Sequence, residues 1–106
     1  MYCMSVEYPR VEGSKFDVDY YRNRHLPLCR DLLADHGYVG SMLRLDAGKA
    51  PGSGGLLWAA VDILFESQDK LKSALAAVGG QINADVPNYT DAKPRVSFAE
   101  VVLKLE

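Results

Sequence analysis

An α+β fold with the element order β-α-β-β-α-β is predicted by three observations. Two segments, Tyr2–Tyr8 and Leu57–Phe65, alternate or run apolar with the period of a strand. Two others, Val18–His36 and the stretch after Ser67, place apolar residues at helical spacing. Glycine- and proline-bearing turns separate them.

In the first strand, Tyr2, Met4, Val6 and Tyr8 alternate with Cys3, Ser5 and Glu7, and Pro9 ends the run because it has no N–H for a ladder. After Gly13, Asp17 or Asp19 caps the first helix and sets negative charge at its positive end. Tyr21, His25, Leu28, Leu32 and Asp35 fall near one stripe of that helix. Pro27 interrupts it, crowding the carbonyl of Asn23, so a kink or break is expected. Gly37 is placed as the C-terminal cap. Val39–Asp46 reads as the second strand, and 48–55 as a flexible loop. The third strand, Leu57–Phe65, is apolar at every odd position, whereas its even positions are Trp58, Ala60, Asp62 and Leu64. Ser67 caps a second helix with Leu71, Leu75 and Val78 as its buried stripe. Gly79-Gly80 is expected to break it, a short turn resuming through Asp85, and Val96–Leu103 gives the last strand.

This order is that of the ferredoxin-like split-βαβ fold, a four-stranded antiparallel sheet with both helices on one face. At 106 residues the chain makes a single domain, 1–106. The other sheet face is left bare, and Trp58, Leu64 and Asp62 on it suggest a partner or a pocket, with a homodimer as the economical solution.

Composition narrows the function classes. Hydrophobic residues make up 48% of the chain, too many for intrinsic disorder. Twelve basic residues against fourteen acidic ones leave a net charge of -2, which gives no support to nucleic-acid binding. The longest apolar stretch, Leu56–Val61, is far short of the roughly 20 residues that span a bilayer, so no membrane partner is expected. The first residues lack the basic start and apolar core of a secretory signal, and a cytoplasmic location is the simplest expectation. Cys3 and Cys29 are too few for a disulfide scaffold and read as small buried hydrophobes.

The segment from Phe16 to Leu28, FDVDYYRNRHLPL, resembles the F-D-x-x-Y-Y-x-x-x-H-x-P motif of the ethyl tert-butyl ether degradation (EthD) family. Ala84 to Asp91, ADVPNYTD, resembles that family's A-D-I-P-N-F-T-D segment. The strand ending in Tyr8-Pro9 and the Ala50-Pro51-Gly52 loop agree in order, so the resemblance runs over nearly the whole chain. It implies a dimeric α+β barrel in which two sheets pack face to face, with one small cavity per subunit. Related barrels include monooxygenases that need no cofactor, lactone isomerases, polyketide cyclases and haem-degrading enzymes, so the fold does not choose a reaction.

His25 is the first candidate for chemistry. Tyr21 stands one helical turn before it on the same face, and histidine side chains exchange a proton near neutral pH. Cofactor-independent oxidation, isomerisation or cyclisation of a small apolar organic compound, with His25 as acid or base and Tyr21 assisting, is the leading expectation; a structural histidine at the kink is the alternative. A non-catalytic ligand-binding or accessory protein is the rival function, and haem or metal binding through His25 a third. Asp85, Asn88, Tyr89 and Asp91 suit either a tight capped turn or, for Asn88 and Tyr89, the rim of the cavity. Trp58 and Asp62 are candidates for the cavity wall or the dimer interface, with Glu7 and Asp62 as a carboxylate pair or as partners of Arg44. His25, Cys29 and His36 share a helical arc, but i to i+11 is too long a span for one metal ion, and none is expected. The Gly52–Gly55 loop leads into a strand, which is not the geometry that cradles phosphate. Asn88-Tyr89-Thr90 also fits the glycosylation pattern, which means little without a secretory signal.

Overall fold

The computed structural model describes residues 1–106. Strand β1 (Tyr2–Pro9) leads into a continuous helical run made of α1 (Val18–Tyr20), a π-helical turn (Tyr21–His25) and α2 (Leu26–Leu33). Strands β2 (Tyr38–Ala47) and β3 (Leu57–Phe65) form a hairpin; α3 (Gln68–Asp85), a 3-10 turn (Val86–Asn88) and β4 (Arg95–Glu100) complete the chain. The sheet order is β2-β3-β1-β4 and every pairing is antiparallel. This is the expected ferredoxin-like architecture, with β1 and β3 in the centre.

Register fixes which side chains share a face, because neighbours along a strand alternate. Val6 lies opposite Val61 and Val96, and Met4 opposite Ile63 and Phe98. These residues face the helices with Leu43 of β2, which pairs with Val61. There Met4, Leu33, Val61, Ile63, Leu71, Ala74 and Val78, with the ring of Phe65 among them, make the mainly aliphatic part of the core. Cys3, Ser5, Glu7, Met42, Arg44, Asp62 and Leu64 occupy register positions of the opposite face. On that face Ser5 donates to Asp62 at 2.6 Å and Arg95 pairs with Glu7 at 3.4 Å. The expected Glu7–Asp62 carboxylate pair is therefore not formed, and neither acid pairs with Arg44, because each has a nearer cross-strand partner.

Caps form where short polar side chains stand. Asp17 accepts from the Tyr20 N–H at 3.0 Å, and Ser67 from the Lys70 N–H at 3.1 Å. Gly37 takes φ +77°, a left-handed conformation, and a Cβ there would lie 2.7 Å from Cβ of Lys70.

Three element-level expectations are corrected. The first helix neither breaks nor keeps α-helical winding: the Leu26 N–H bonds to the Tyr21 carbonyl, five residues back, and Pro27 enters at the start of α2, where a missing donor costs little. This wider turn acts like a one-residue insertion. Beyond His25 the buried stripe is consequently Cys29 and Leu33; Leu28 is exposed. Second, α3 runs unbroken through Gly79-Gly80, since helix propensity yields to packing of the helix on the sheet. Third, β4 ends at Glu100, short of Leu103.

Candidate functional site

The aromatic half of the helix-side layer is assembled from four places in the chain. The end of β1 delivers Tyr8, the π turn delivers Tyr21 and His25, the first turn of α2 delivers Cys29, and the end of α3 with its 3-10 extension delivers Asp85 and Tyr89. Backbone and side-chain bonds lock the last segment to the loop before α1. The Asp17 N–H reaches the Tyr89 carbonyl at 2.7 Å, Thr90 Oγ1 donates to the Lys15 carbonyl at 2.6 Å, and Asp91 accepts from the Lys15 N–H at 2.8 Å. Thr90 and Asp91 thus do structural turn work.

His25 is 4% exposed. Its Nδ1 lies 2.9 Å from Asp85 Oδ2, and Tyr21 stacks on the imidazole with centroids 5.5 Å apart at 15°. Oδ1 of Asp85 accepts from the Tyr20 hydroxyl at 2.7 Å and from Asn88 Nδ2 at 2.9 Å. The Tyr20 hydrogen bond first, then those from Asn88 and His25, hold the Asp85 carboxyl down at about 2. Asp85 is therefore ionised at neutral pH and can only accept. That assigns a proton to Nδ1, so in the neutral imidazole the lone pair is on Nε2.

Nε2 meets the Tyr89 hydroxyl at 3.3 Å and Cys29 Sγ at 3.5 Å, and Tyr89 in turn meets the Tyr8 hydroxyl at 2.7 Å. Burial raises Tyr8, Tyr21 and Tyr89 above the ordinary phenol value and pushes the Cys29 thiol up to about 12. All four are neutral at physiological pH.

Beside this cluster, between the sheet and the helices, lies a cavity of about 410 Å³. Its lining is mostly aliphatic and aromatic, including Val6, Val61, Ile82 and Phe98; Tyr8, Tyr21, His25, Cys29 and Asn83 also line it. No lysine, arginine, aspartate or glutamate does. Gly79 is part of the wall, so the absence of a side chain there keeps space open. Val96 and Phe98, on edge strand β4, belong to the lining and are half-exposed.

The structure brings His25 and Tyr21 together at this cavity. Tyr89 reaches His25 from behind the lining, and Asn88 is held at the surface against Asp85 and Tyr20. Trp58 and Asp62 lie elsewhere. Trp58 stacks on Phe16 at 6.2 Å, donates to Ser14 Oγ at 3.1 Å and carries the Arg10 guanidinium 4.3 Å above its ring. Asp62 lies on the open sheet face with Ser5. Sequence reasoning missed Asp85 as the partner of His25, and Tyr8. Both stand inside the segments that resemble EthD, which is the only signal they carried. No three histidine, cysteine or acidic side chains converge as a metal site. Ligation through Nε2 of His25 would also displace the Tyr89 hydroxyl.

Among solved structures, an EthD-like protein from Ralstonia eutropha is 30% identical over 98% of this chain and 94% of its own, with a TM-score of 0.86. The chain belongs to the EthD-like family. An ethyl tert-butyl ether degradation (EthD) family protein from Bacillus halodurans shares the fold at 17% identity, covering 96% of this chain and 99% of its own, with a TM-score of 0.74. SnoaB from Streptomyces nogalater, described as a cofactor-independent oxygenase, shares it at 10% identity over 98% of this chain and 96% of its own, with a TM-score of 0.63. No family model and no curated protein matches the chain. No helix is long and apolar enough to cross a membrane.

Proposed function

We propose that this EthD-like chain binds a small, largely apolar organic molecule in the cavity beside His25 and acts on it by acid–base chemistry without a cofactor. One observation carries the reading: an imidazole oriented by an ionised carboxylate, its Nε2 lone pair turned away from Asp85, stands in the wall of an uncharged apolar cavity. Low polarity strengthens the electrostatics inside such a cavity, and the fixed tautomer prepares His25 to take a proton. Oxidation, isomerisation and cyclisation of activated organic compounds all start by removing one. Tyr21 assists by holding the ring in place. SnoaB, described as an oxygenase that needs no cofactor, has the same fold, which supports the chemistry as feasible on this framework.

The experiment has two stages. Mass spectrometry of ligand co-purified with the protein identifies the substrate class; His25→Ala is then expected to abolish turnover of that compound while circular dichroism is unchanged. Turnover persisting in His25→Ala overturns the acid–base role. Tight uptake with no product under any condition gives the binding or accessory reading instead.

The bare sheet face, with Met42 exposed and Leu64 half-buried beside the Ser5–Asp62 pair, supports a homodimer formed through this face. Light scattering is expected to give twice the chain mass; a monomer at micromolar concentration overturns it.

A further inference from the structure

His25 lines the cavity, but its Nε2 is already covered by the Tyr89 hydroxyl and the Cys29 thiol. The network beyond it has a direction. Asp85, an ionised acceptor, accepts from Nδ1–H, so Nε2 of the neutral imidazole is an acceptor. Tyr89 O–H is a better donor than the Cys29 thiol, and giving it to Nε2 lets both contacts of Tyr89, at 3.3 Å to Nε2 and 2.7 Å to Tyr8, form as hydrogen bonds. A hydroxyl has one proton, so the Tyr89 oxygen is left as the acceptor for Tyr8 O–H, 2.7 Å away. Tyr8, unlike Tyr89, is part of the cavity lining. The oxygen of Tyr8 therefore has its proton committed inward and only lone pairs left for the cavity.

From this geometry we infer that Tyr8 is a catalytic residue: its oxygen receives the ligand, the ligand is an uncharged compound with an acidic hydroxyl (a phenol or enol) on an apolar body, and Tyr89 relays its proton to His25. This rests on the reading of the cavity as a small-molecule site. In the transfer the ligand O–H bond breaks and its proton joins the Tyr8 oxygen. Tyr8 passes its own proton to Tyr89, and Tyr89 passes its proton to Nε2. Both tyrosines end neutral. The ligand is left as an oxyanion that accepts from Tyr8 O–H, and the imidazolium faces the Asp85 carboxylate. An ether or ester of the same shape offers no proton to Tyr8 and leaves that oxygen unpaired in an apolar cavity, which is the costly case. A carboxylate or phosphate ligand finds no cation in the lining.

The probes are 3-nitrophenol, a weaker acid whose phenolate is yellow, and 3-nitroanisole, its methyl ether, at neutral pH, where the free phenol is nearly colourless. Wild-type protein is expected to bind the phenol at least tenfold tighter than the ether and to show the yellow band on binding. Tyr8→Phe, which keeps the ring and is checked for folding by circular dichroism, loses both the preference and the band. Tyr89→Phe still binds the phenol but loses the band, because the path from Tyr8 to His25 is cut, and a merely structural role for Tyr89 does not produce that separation. Equal binding of the two probes, a preference that survives Tyr8→Phe, or a band that survives Tyr89→Phe overturns the inference and leaves the cavity reading standing. If neither probe binds wild-type protein, the cavity reading fails and this inference fails with it.

Discussion

The two ends of the helix-side layer are built on the same strands and do different work. On β1, Met4 belongs to the aliphatic end and Tyr8 to the aromatic end; on β3, Val61, Ile63 and Phe65 face Ala59 in the same way. Along the helical run, Leu33 lies at one end, Tyr21 and His25 at the other, and Cys29 between them touches both. The aliphatic end has almost no polar atoms to satisfy. The aromatic end buries several, and no buried side-chain nitrogen or oxygen is left without a partner. Ala59, fully buried among Tyr8, Tyr21 and Tyr89, makes room for three rings where a larger residue would crowd them. The contrast shows how a small domain divides its labour: nonspecific apolar packing stabilises it, and a directional hydrogen-bonded network shapes the site.

The strongest way to break this division is to empty the aliphatic end. Phe65 is fully buried, and Phe65→Ala is expected to cost about 3–5 kcal/mol in urea unfolding, by lost burial and the cavity left behind. The folded fraction should still bind a cavity ligand. A cost below about 1 kcal/mol would mean that this end is not where the stability resides.

At the aromatic end the loss is smaller and of another kind. Tyr89→Phe keeps the ring but removes the hydroxyl between Tyr8 and His25. Leaving buried polar partners unmatched costs about 1–3 kcal/mol, again read by urea unfolding. If Tyr89→Phe proved as stable as wild type, the network would contribute direction without stability, and the comparison would sharpen to one of function alone.

What was legible in the chain follows the same line. Period-2 alternation located β1 and β3 to within a residue, because the large apolar side chains of each gather on the face toward the helices. The helical stripe was legible only up to His25. A reading at 3.6 residues per turn has no place for a π turn, although Pro27 marked the spot. The His25–Asp85 pair joins residues 60 apart in sequence, and Asp85 reads locally as a turn former beside Pro87. Tyr8 reads locally as the end of a strand. Trp58 and Asp62 read as residues of the bare sheet face; Asp62 lies there with Ser5, Trp58 packs on Phe16 at the edge of the aromatic cluster, and neither lines the cavity. Its space exists because the helices leave Val96 and Phe98 half-exposed and Gly79 projects no side chain, a spacing of elements that no local pattern encodes.

Acid also distinguishes the two ends. Asp85 is held at about 2 in the folded chain, below the ~3.9 of a free aspartate. A depressed carboxylate stabilises the fold above the unfolded value, and that contribution is lost as pH falls from about 4 towards about 2. Stability against urea should therefore decline across this window in wild type, and less steeply in Asp85→Asn. Phe65→Ala, which touches nothing titratable, should keep the wild-type slope. Equal slopes in wild type and Asp85→Asn would remove the Asp85 network from the account of stability.

The smallest expected effect tests whether the ends are independent. Ser67 sits at the start of α3 in extended conformation, and its exposed hydroxyl accepts from the Lys70 N–H. Ser67→Ala is expected to cost about 1 kcal/mol by leaving that donor to water. Asp85 closes the same helix 18 residues later, which at 1.5 Å per residue places it about 27 Å from the cap. Fraying of the first turn should not travel that far, because propagation, unlike nucleation, adds one bond per residue and the middle of α3 is clamped by Leu71, Ala74 and Val78. Ligand affinity at the cavity should then be unchanged in Ser67→Ala while its unfolding midpoint falls. An affinity that falls in step with stability would show that α3 moves as one lever, and that the aliphatic end sets the position of Asp85 as well as the stability of the fold.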